Sequence, residues 1–376
     1  METSLSRPRA AVVGIGFIGA LHAEALARLG VPVVAVVDPS RPATASFEEV
    51  LADDRVDVVH VATPNYLHYA QAKAALLAGK HVVCEKPLTL AAQEAAELAE
   101  LAAETGLVNA VGFVFRSYAQ ARELRALCSS GALGEVRNVH GSYLQDWLLL
   151  PTDWNWRLDP ALGGGLRAVA DIGSHWLDLA QYVTGLRVEA VCAELATTVP
   201  VRLRPASEVR TFASADATDR VEVAITTEDA AFLLLRFEGG ARGAATISQV
   251  SAGRKNALSL EVDGSSAAAA WVSERPEELW IGHRGRANEL LLRDPSLLSP
   301  EARPYATLPG GHAEGFREAL CELYRPVYAA AAQGRQPDRP DFPTFEDGRR
   351  AVALGEAIAR SAREGVWVET RQAVHG

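Results

Sequence analysis

Ala10-Ala11-Val12-Val13-Gly14-Ile15-Gly16-Phe17-Ile18-Gly19 is the stretch that decides the fold. Four apolar residues without polar alternation predict a strand buried on both faces, as in a parallel sheet. The G-x-G-x-x-G run turns the chain into a helix predicted over Ile18 to Leu29 and ended by Gly30. Gly14 permits the tight turn, Gly16 lets a pyrophosphate approach the backbone, and Gly19 lets the helix pack close to the strand. The helix start, with Phe17 and Ile18, offers free N–H groups to phosphates. A second buried strand, Val33 to Val37, ends at Asp38, about 20 residues past the last glycine. A carboxylate there accepts hydrogen bonds from an adenosine ribose and repels a 2′-phosphate. The predicted cofactor is therefore NAD. NADP is the alternative, with Arg41 reading its phosphate.

Strand and helix keep alternating downstream. Val56 to Val61, Lys80 to Cys84 and Val108 to Val114 read as buried strands, with helices over Tyr66 to Leu77 and Ala91 to Glu104 between them. This predicts an α/β Rossmann domain, a doubly wound parallel sheet, over residues 1–125. Ligands bind outside the carboxyl ends of such strands. Thr63, Pro64 and Asn65 lie at that edge and are candidate cofactor contacts. His68 is either a further contact or a solvated helix histidine. Glu85-Lys86-Pro87 ends the fourth strand at the same edge, which brings Glu85 and Lys86 to the cofactor.

The pattern then changes. Val136 to Gln145, Val188 to Leu195, Val221 to Thr227, Ala231 to Phe237, Ala241 to Val250 and Leu258 to Val262 read as strands in close succession, some linked by short glycine turns. They predict a second, α+β domain over residues 126–376, with an open and mainly antiparallel sheet. Its last helix is expected at Phe345 to Arg363. Helices can cover only one face of this sheet, and the other also carries apolar residues. A homodimer or homotetramer formed through it is expected.

Composition narrows the partners. The 376 residues carry a net charge of −10 and are 48% hydrophobic. The acidic balance argues against a nucleic-acid partner. No charge-free apolar run is long enough to span a membrane, and the polar start is not an export signal. A cytoplasmic location is expected. The cysteines, Cys84, Cys128, Cys192 and Cys321, contain no Cys-x-x-Cys pair, so neither a zinc ribbon nor a redox motif is predicted, and no metal.

The chemistry is signalled by Asp171-Ile172-Gly173-Ser174-His175 within a helix expected from Asp171 to Tyr182. A carboxylate and an imidazole four residues apart share one helical face. With Lys86 they suit oxidation of a secondary alcohol. One group takes the hydroxyl proton, another stabilises developing alkoxide charge, and the carboxylate holds a neighbouring hydroxyl. The residues leave open whether Lys86 or His175 is the proton acceptor. Gln145 and Asp146, with Asp153, Asp159 and Glu314, fall in segments expected near the cleft, interleaved with Trp147, Trp154 and Trp156. Tryptophan faces among carboxylates and amides suit a sugar ring, and the carboxylates would attract an amino sugar.

The glycine run, Glu85-Lys86-Pro87 and Asp171 to His175, in this order, resemble the Gfo/Idh/MocA family of oxidoreductases, through Phe345-Glu346-Asp347-Gly348 to the last helix. The resemblance implies a Rossmann domain paired with an open sheet. It implies catalytic roles for Lys86, Asp171 and His175, and places Arg116 near the nicotinamide. It puts Trp154, Trp156 and Arg157 in an aromatic loop that touches cofactor or substrate, and makes His312 a substrate contact. One departure is the long spacer, Leu166 to Ala170, after Gly163-Gly164-Gly165. It makes Arg167 a candidate substrate contact. The expected function is an NAD(P)-dependent dehydrogenase acting on a hydroxyl of a sugar, cyclitol or glycoside. The alternatives are an NAD-dependent glycosidase of the same fold and a non-catalytic dinucleotide-binding regulator.

Overall fold

The computed structural model describes residues 7–38, 45–206 and 219–370. Arg41 lies outside them. The chain divides into two compact units, one formed by residues 1–114 with 316–352, the other by residues 115–315 with 353–376. The sequence-based boundary at 125 thus moves to 114. A C-terminal stretch returns to the first unit because its apolar faces have their partners there.

The first unit is built on five parallel strands in the order β2-β1-β3-β4-β5. They are β1 (Ala10–Val13), β2 (Val33–Val37), β3 (Val58–Val61), β4 (His81–Cys84) and β5 (Asn109–Val111). Every residue of β1, β3 and β4 is buried, as runs without polar alternation require. β5 is shorter than expected and gives way at Val114 to a 3-10 turn. The helices are α1 (Phe17–Arg28), α2 (Phe47–Ala52), α3 (His68–Leu77) and α4 (Ala92–Thr105). A capping box of Ser46 and Glu49 starts α2, and Gly106, at φ 65°, ends α4. α8 (Phe316–Ala331) packs against α1. The first turns of α9 (Phe345–Glu364) bury Phe345 in the same core as Val13, Val61 and Leu98. Each such buried side chain stabilises the fold by about 1.5–3 kcal/mol.

The second unit holds a nine-stranded sheet, β15-β14-β13-β12-β6-β11-β10-β7-β16. Its strands are β6 (Val136–Leu144), β7 (Val188–Ala196), β10 (Ala230–Phe237), β11 (Arg242–Ser248), β12 (Ala257–Gly264), β13 (Ala268–Val272), β14 (Glu278–Gly282), β15 (Glu289–Leu292) and β16 (Val368–Glu369). β6 and β11 run parallel and the other neighbours antiparallel. A separate hairpin pairs β8 (Val201–Pro205) with β9 (Arg220–Ala224). α5 (Ala119–Ser129), the short α6 (Pro160–Gly163) and α7 (Ser174–Thr184) complete the unit. α7 lies on β6 and β12, where buried Trp176 donates its indole N–H to the Ser259 carbonyl at 2.8 Å. Gly141 allows this approach, because a Cβ there would stand 2.0 Å from that carbonyl and 3.0 Å from the indole nitrogen. Burial alternates along β10: Leu233, Leu235 and Phe237 face inward, while Phe232 and Leu234 remain about half exposed. No helix among the described residues is long and apolar enough to cross a membrane.

Candidate active site

In the first unit, β2 and β3 flank β1 on opposite sides, so the strand order reverses at the carboxyl end of β1, where dinucleotides bind. The glycine turn is built for that position. Gly14 has φ +87°, and a Cβ on it would meet the Ala62 carbonyl at 2.7 Å. A Cβ on Gly19 would stand 1.9 Å from the Gly14 oxygen. A Cβ on Gly16, in contrast, would meet nothing within 4 Å, which leaves its backbone open to a ligand. No side chain caps α1 at Gly16, and the start of a helix directs its first N–H groups toward a bound phosphate. Asp38 sits close by, its Oδ2 accepting the Ile15 N–H at 3.3 Å. These residues fit a dinucleotide, with the pyrophosphate on the turn and a ribose at Asp38.

Thr63-Pro64-Asn65 ends β3 at the same edge. The Thr63 hydroxyl donates to Gln71 at 2.7 Å, and Asn65 opens a 3-10 turn before α3. His68 is not a solvated helix histidine. It is buried, with Nδ1 2.8 Å from the Pro87 carbonyl and Nε2 2.9 Å from the Thr63 carbonyl. Burial holds its pKa below the ordinary histidine value although both carbonyls act the other way. The neutral ring donates to one of the two and brackets two loops of the cofactor edge.

Glu85 also departs from its expected role. Its carboxylate is buried within the unit, with Oε1 3.1 Å from His22 Nε2 and Oε2 accepting the Lys86 N–H at 3.3 Å. Gly112 makes room for it, since a Cβ there would lie 2.3 Å from Oε1. Glu85 therefore anchors the turn that presents Lys86.

In the second unit, Asp171 does not lie on an ordinary α-helix. Val169–Gly173 forms a π turn that passes into α7 at Ser174. Such widened turns are frequent at functional sites, and this one changes the facing of Asp171 relative to His175 that α-helical spacing predicts. Asp171 Oδ1 accepts from Arg157 Nε at 3.2 Å, and Oδ2 from Gln249 Nε2 at 2.8 Å. The Arg157 guanidinium also stacks on Trp156 at 4.4 Å. His175 is buried, its ring edge-on to Phe115 at 5.1 Å and tilted to Tyr143 at 6.3 Å. Burial first, then the Asp171 charge, push the Tyr143 phenol well above its usual pKa, so it donates, to Asn256 Oδ1 at 2.6 Å.

Arg167 is corrected from a substrate contact to a buried support. Its side chain is fully buried. Nη1 donates to Gln249 Oε1 at 3.2 Å, Nε to Thr227 at 3.2 Å, and Nη2 pairs with Asp229. Arg202 binds the same Asp229 oxygen at 2.8 Å. Arg167 thereby fixes which way the Gln249 amide points: the oxygen meets Arg167 and the NH2 meets Asp171.

Other expected contacts are engaged within their own unit. Arg116 forms a two-pronged pair with Asp178 and lies over Tyr182, so its fork is already occupied. Gln145 donates to Asn256 and accepts from Trp147. Trp154 packs beside Leu148, Leu158 and Ile225. Asp146 pairs with Lys255 at 2.7 Å, a contact that holds its carboxyl below the usual range. Asp153 accepts from Leu150 N, Asp159 from Ala161 N, and Glu314 from Thr307 and Leu308. These four acids serve their own loops and do not gather into a cation site. His312 is exposed, with Nδ1 3.3 Å from the Pro309 carbonyl. His22, Tyr143, Gln249 and Asn256 escape the sequence reading because their partners are remote in the chain.

A model described as the oxidoreductase family, NAD-binding Rossmann fold, matches residues 8–113, and the GFO/IDH/MocA C-terminal domain matches residues 121–270. Levoglucosan dehydrogenase of Pseudarthrobacter phenanthrenivorans is 26% identical across 96% of this chain and 97% of its own length. A structure of levoglucosan dehydrogenase with NADH and L-sorbose superposes with a TM-score of 0.86 at 26% identity, over 97% of this chain and 99% of the other. An inositol dehydrogenase homologue from Azotobacter vinelandii, complexed with NAD+, gives 0.82 at 29% identity, over 97% and 98%. The chain belongs to the Gfo/Idh/MocA family and is an NAD(P)-dependent oxidoreductase.

Proposed function

We propose that this enzyme interconverts a secondary hydroxyl and a ketone on a neutral sugar, cyclitol or sugar anhydride. NAD is the cofactor, and Lys86, Asp171 and His175 are the catalytic residues. The observation that carries the reading is Asp171. Its two oxygens are fixed by Arg157 and by an amide that Arg167 orients, an arrangement that suits holding one hydroxyl of a polyol. The glycine turn, Asp38 and Thr63-Pro64-Asn65 would hold the dinucleotide, which supplies the hydride acceptor. As the carbinol C–H leaves as hydride, the hydroxyl proton passes to His175 or Lys86, and the other of the two hydrogen-bonds the oxygen. The substrate class is supported by relatives named for levoglucosan and inositol dehydrogenation. The engaged acids of the loops weigh against an amino sugar.

The half-exposed Phe232 and Leu234, with Leu290 and Leu292 on β15, support a homo-oligomer formed through the outer face of the sheet. The deciding experiment is a panel of levoglucosan, myo-inositol, L-sorbitol-type polyols and amino sugars, each with NAD and with NADP. NADH formation with a neutral polyol is expected. Release of free sugar from glycosides without net NADH would identify a glycosidase. Tight NAD binding without turnover across the panel would identify a regulator.

A further inference from the structure

Behind the Glu-Lys-Pro turn lies a buried chain of polar groups that the proposed chemistry does not use. Glu85 Oε1 is 3.1 Å from His22 Nε2. His22 Nδ1 is 3.1 Å from His60 Nδ1, and His60 Nε2 is 2.9 Å from Tyr328 Oη. Both histidines are fully buried, and Tyr328 nearly so. Tyr324 closes the cluster, its ring edge-on to both imidazoles at 5.1 and 5.0 Å. All of these residues belong to the first unit.

Hydrogen positions in such a chain are interdependent, because a neutral imidazole has one donor and one acceptor nitrogen. If the donors run toward Glu85, the Tyr328 hydroxyl donates to His60 Nε2. His60 then donates through Nδ1 to His22 Nδ1, and His22 donates through Nε2 to the carboxylate. Every polar hydrogen of Tyr328, His60 and His22 has an acceptor. In the reverse direction His60 donates to Tyr328, whose own hydrogen must find another acceptor. Among the described residues Tyr328 Oη has none. A buried donor left without an acceptor is costly, so the forward direction is favoured. Burial keeps His60 neutral and the Tyr328 phenol protonated, as either direction requires.

We propose that His22 and His60 are positioning residues. With Tyr328 they form a one-way donor chain that fixes the Glu85 carboxylate and, through its bond to the Lys86 N–H, the turn that presents Lys86. The inference deepens the functional reading, but its test needs no substrate. In this chain His60 carries its hydrogen on Nδ1, the less common tautomer, and His22 donates from Nε2 to Glu85.

Two measurements on the full-length protein test this. Ring 15N spectra of histidine-labelled protein are expected to show His60 as Nδ1–H and His22 as Nε2–H. Hydrogen exchange at the Lys86 amide is expected to quicken roughly tenfold or more in His22→Leu, the loss of a bond that supports a charged group. His22→Gln, which keeps a donor near the Nε2 position, is expected to restore slow exchange. If His22→Leu does not fold, Tyr328→Phe serves instead, with a shift in the His60 ring signals expected and exchange read on the same amide. An Nε2–H tautomer at His60, or equal Lys86 exchange in wild type, His22→Leu and His22→Gln, would overturn the proposal. Neither result depends on whether the protein turns over a polyol.

Discussion

Each unit supports a motif carboxylate with a buried polar chain, but the two chains are made of different material. Glu85 is backed by His22, His60 and Tyr328, groups that gain or lose protons. Asp171 is backed by Arg157 directly, and by Gln249, Arg167, Asp229 and Arg202 behind it. Arginine does not titrate in the physiological range. The first chain can therefore respond to pH, while the second holds one charge arrangement throughout. The first also assembles around rings in aromatic contact, whereas the second depends on fully buried ions. Removing one ion unbalances the charges left in the interior.

The largest effect expected falls on catalysis, and it tests whether both units supply a reacting group. Lys86→Ala and His175→Ala should each lower kcat by roughly 10²–10⁴, with NAD affinity nearly unchanged by fluorescence titration. Normal turnover in one variant would assign proton transfer to the other unit alone.

Stability distinguishes the chains next. Arg167→Leu should destabilise the protein by about 3–5 kcal/mol in denaturant unfolding, because fully buried Asp229 loses one of its two arginine partners and keeps Arg202 with the neutral donors Thr198 and Val199. A loss below about 1 kcal/mol would show that the second chain is not anchored by its ions.

Gln249→Leu isolates the link between Arg167 and Asp171. Loss of a hydrogen bond to a charged group corresponds to about 1.5–3 kcal/mol, read here as roughly 10–100-fold in kcat/KM. An unchanged value would mean that Arg157 alone positions Asp171.

The smallest effect is the pH response. Burial holds the folded-state pKa of His60 well below 6.5, so the unfolded chain binds its proton first as pH falls. The stability from this residue is complete above about pH 6.5 and declines below it, by up to about 1.4 kcal/mol per pH unit. His60→Gln should flatten the slope of unfolding free energy between pH 6 and 5 by about that amount. An unaltered slope would leave His68 and His81, which burial also shifts downward, as its source.

The elements whose signal is local were legible in the sequence. Strand, glycine turn and helix lie within residues 10–28, and the Asp38 position follows from the next strand. The π turn was not, because residue spacing alone assumes 3.6 residues per turn and gives no sign of an inserted one. Arg167 misled for a related reason: beside a glycine run it reads as a loop cation, while Asp229 and Gln249, 62 and 82 residues away, take it into the interior. α8 is absent from the elements expected from the sequence, and the return of residues 316–352 to the first unit became visible only in the structure.

The central claim is that a polyol carbinol gives up its hydride to NAD, and one isotopic measurement tests it directly. A panel substrate deuterated at the reacting carbon is incubated with enzyme and NAD, and the NADH that accumulates is analysed by mass spectrometry. The account predicts NADH heavier by one deuterium, in an amount equal to the ketone formed. Accumulation of unlabelled NADH, or of free sugar with no net NADH, would contradict it.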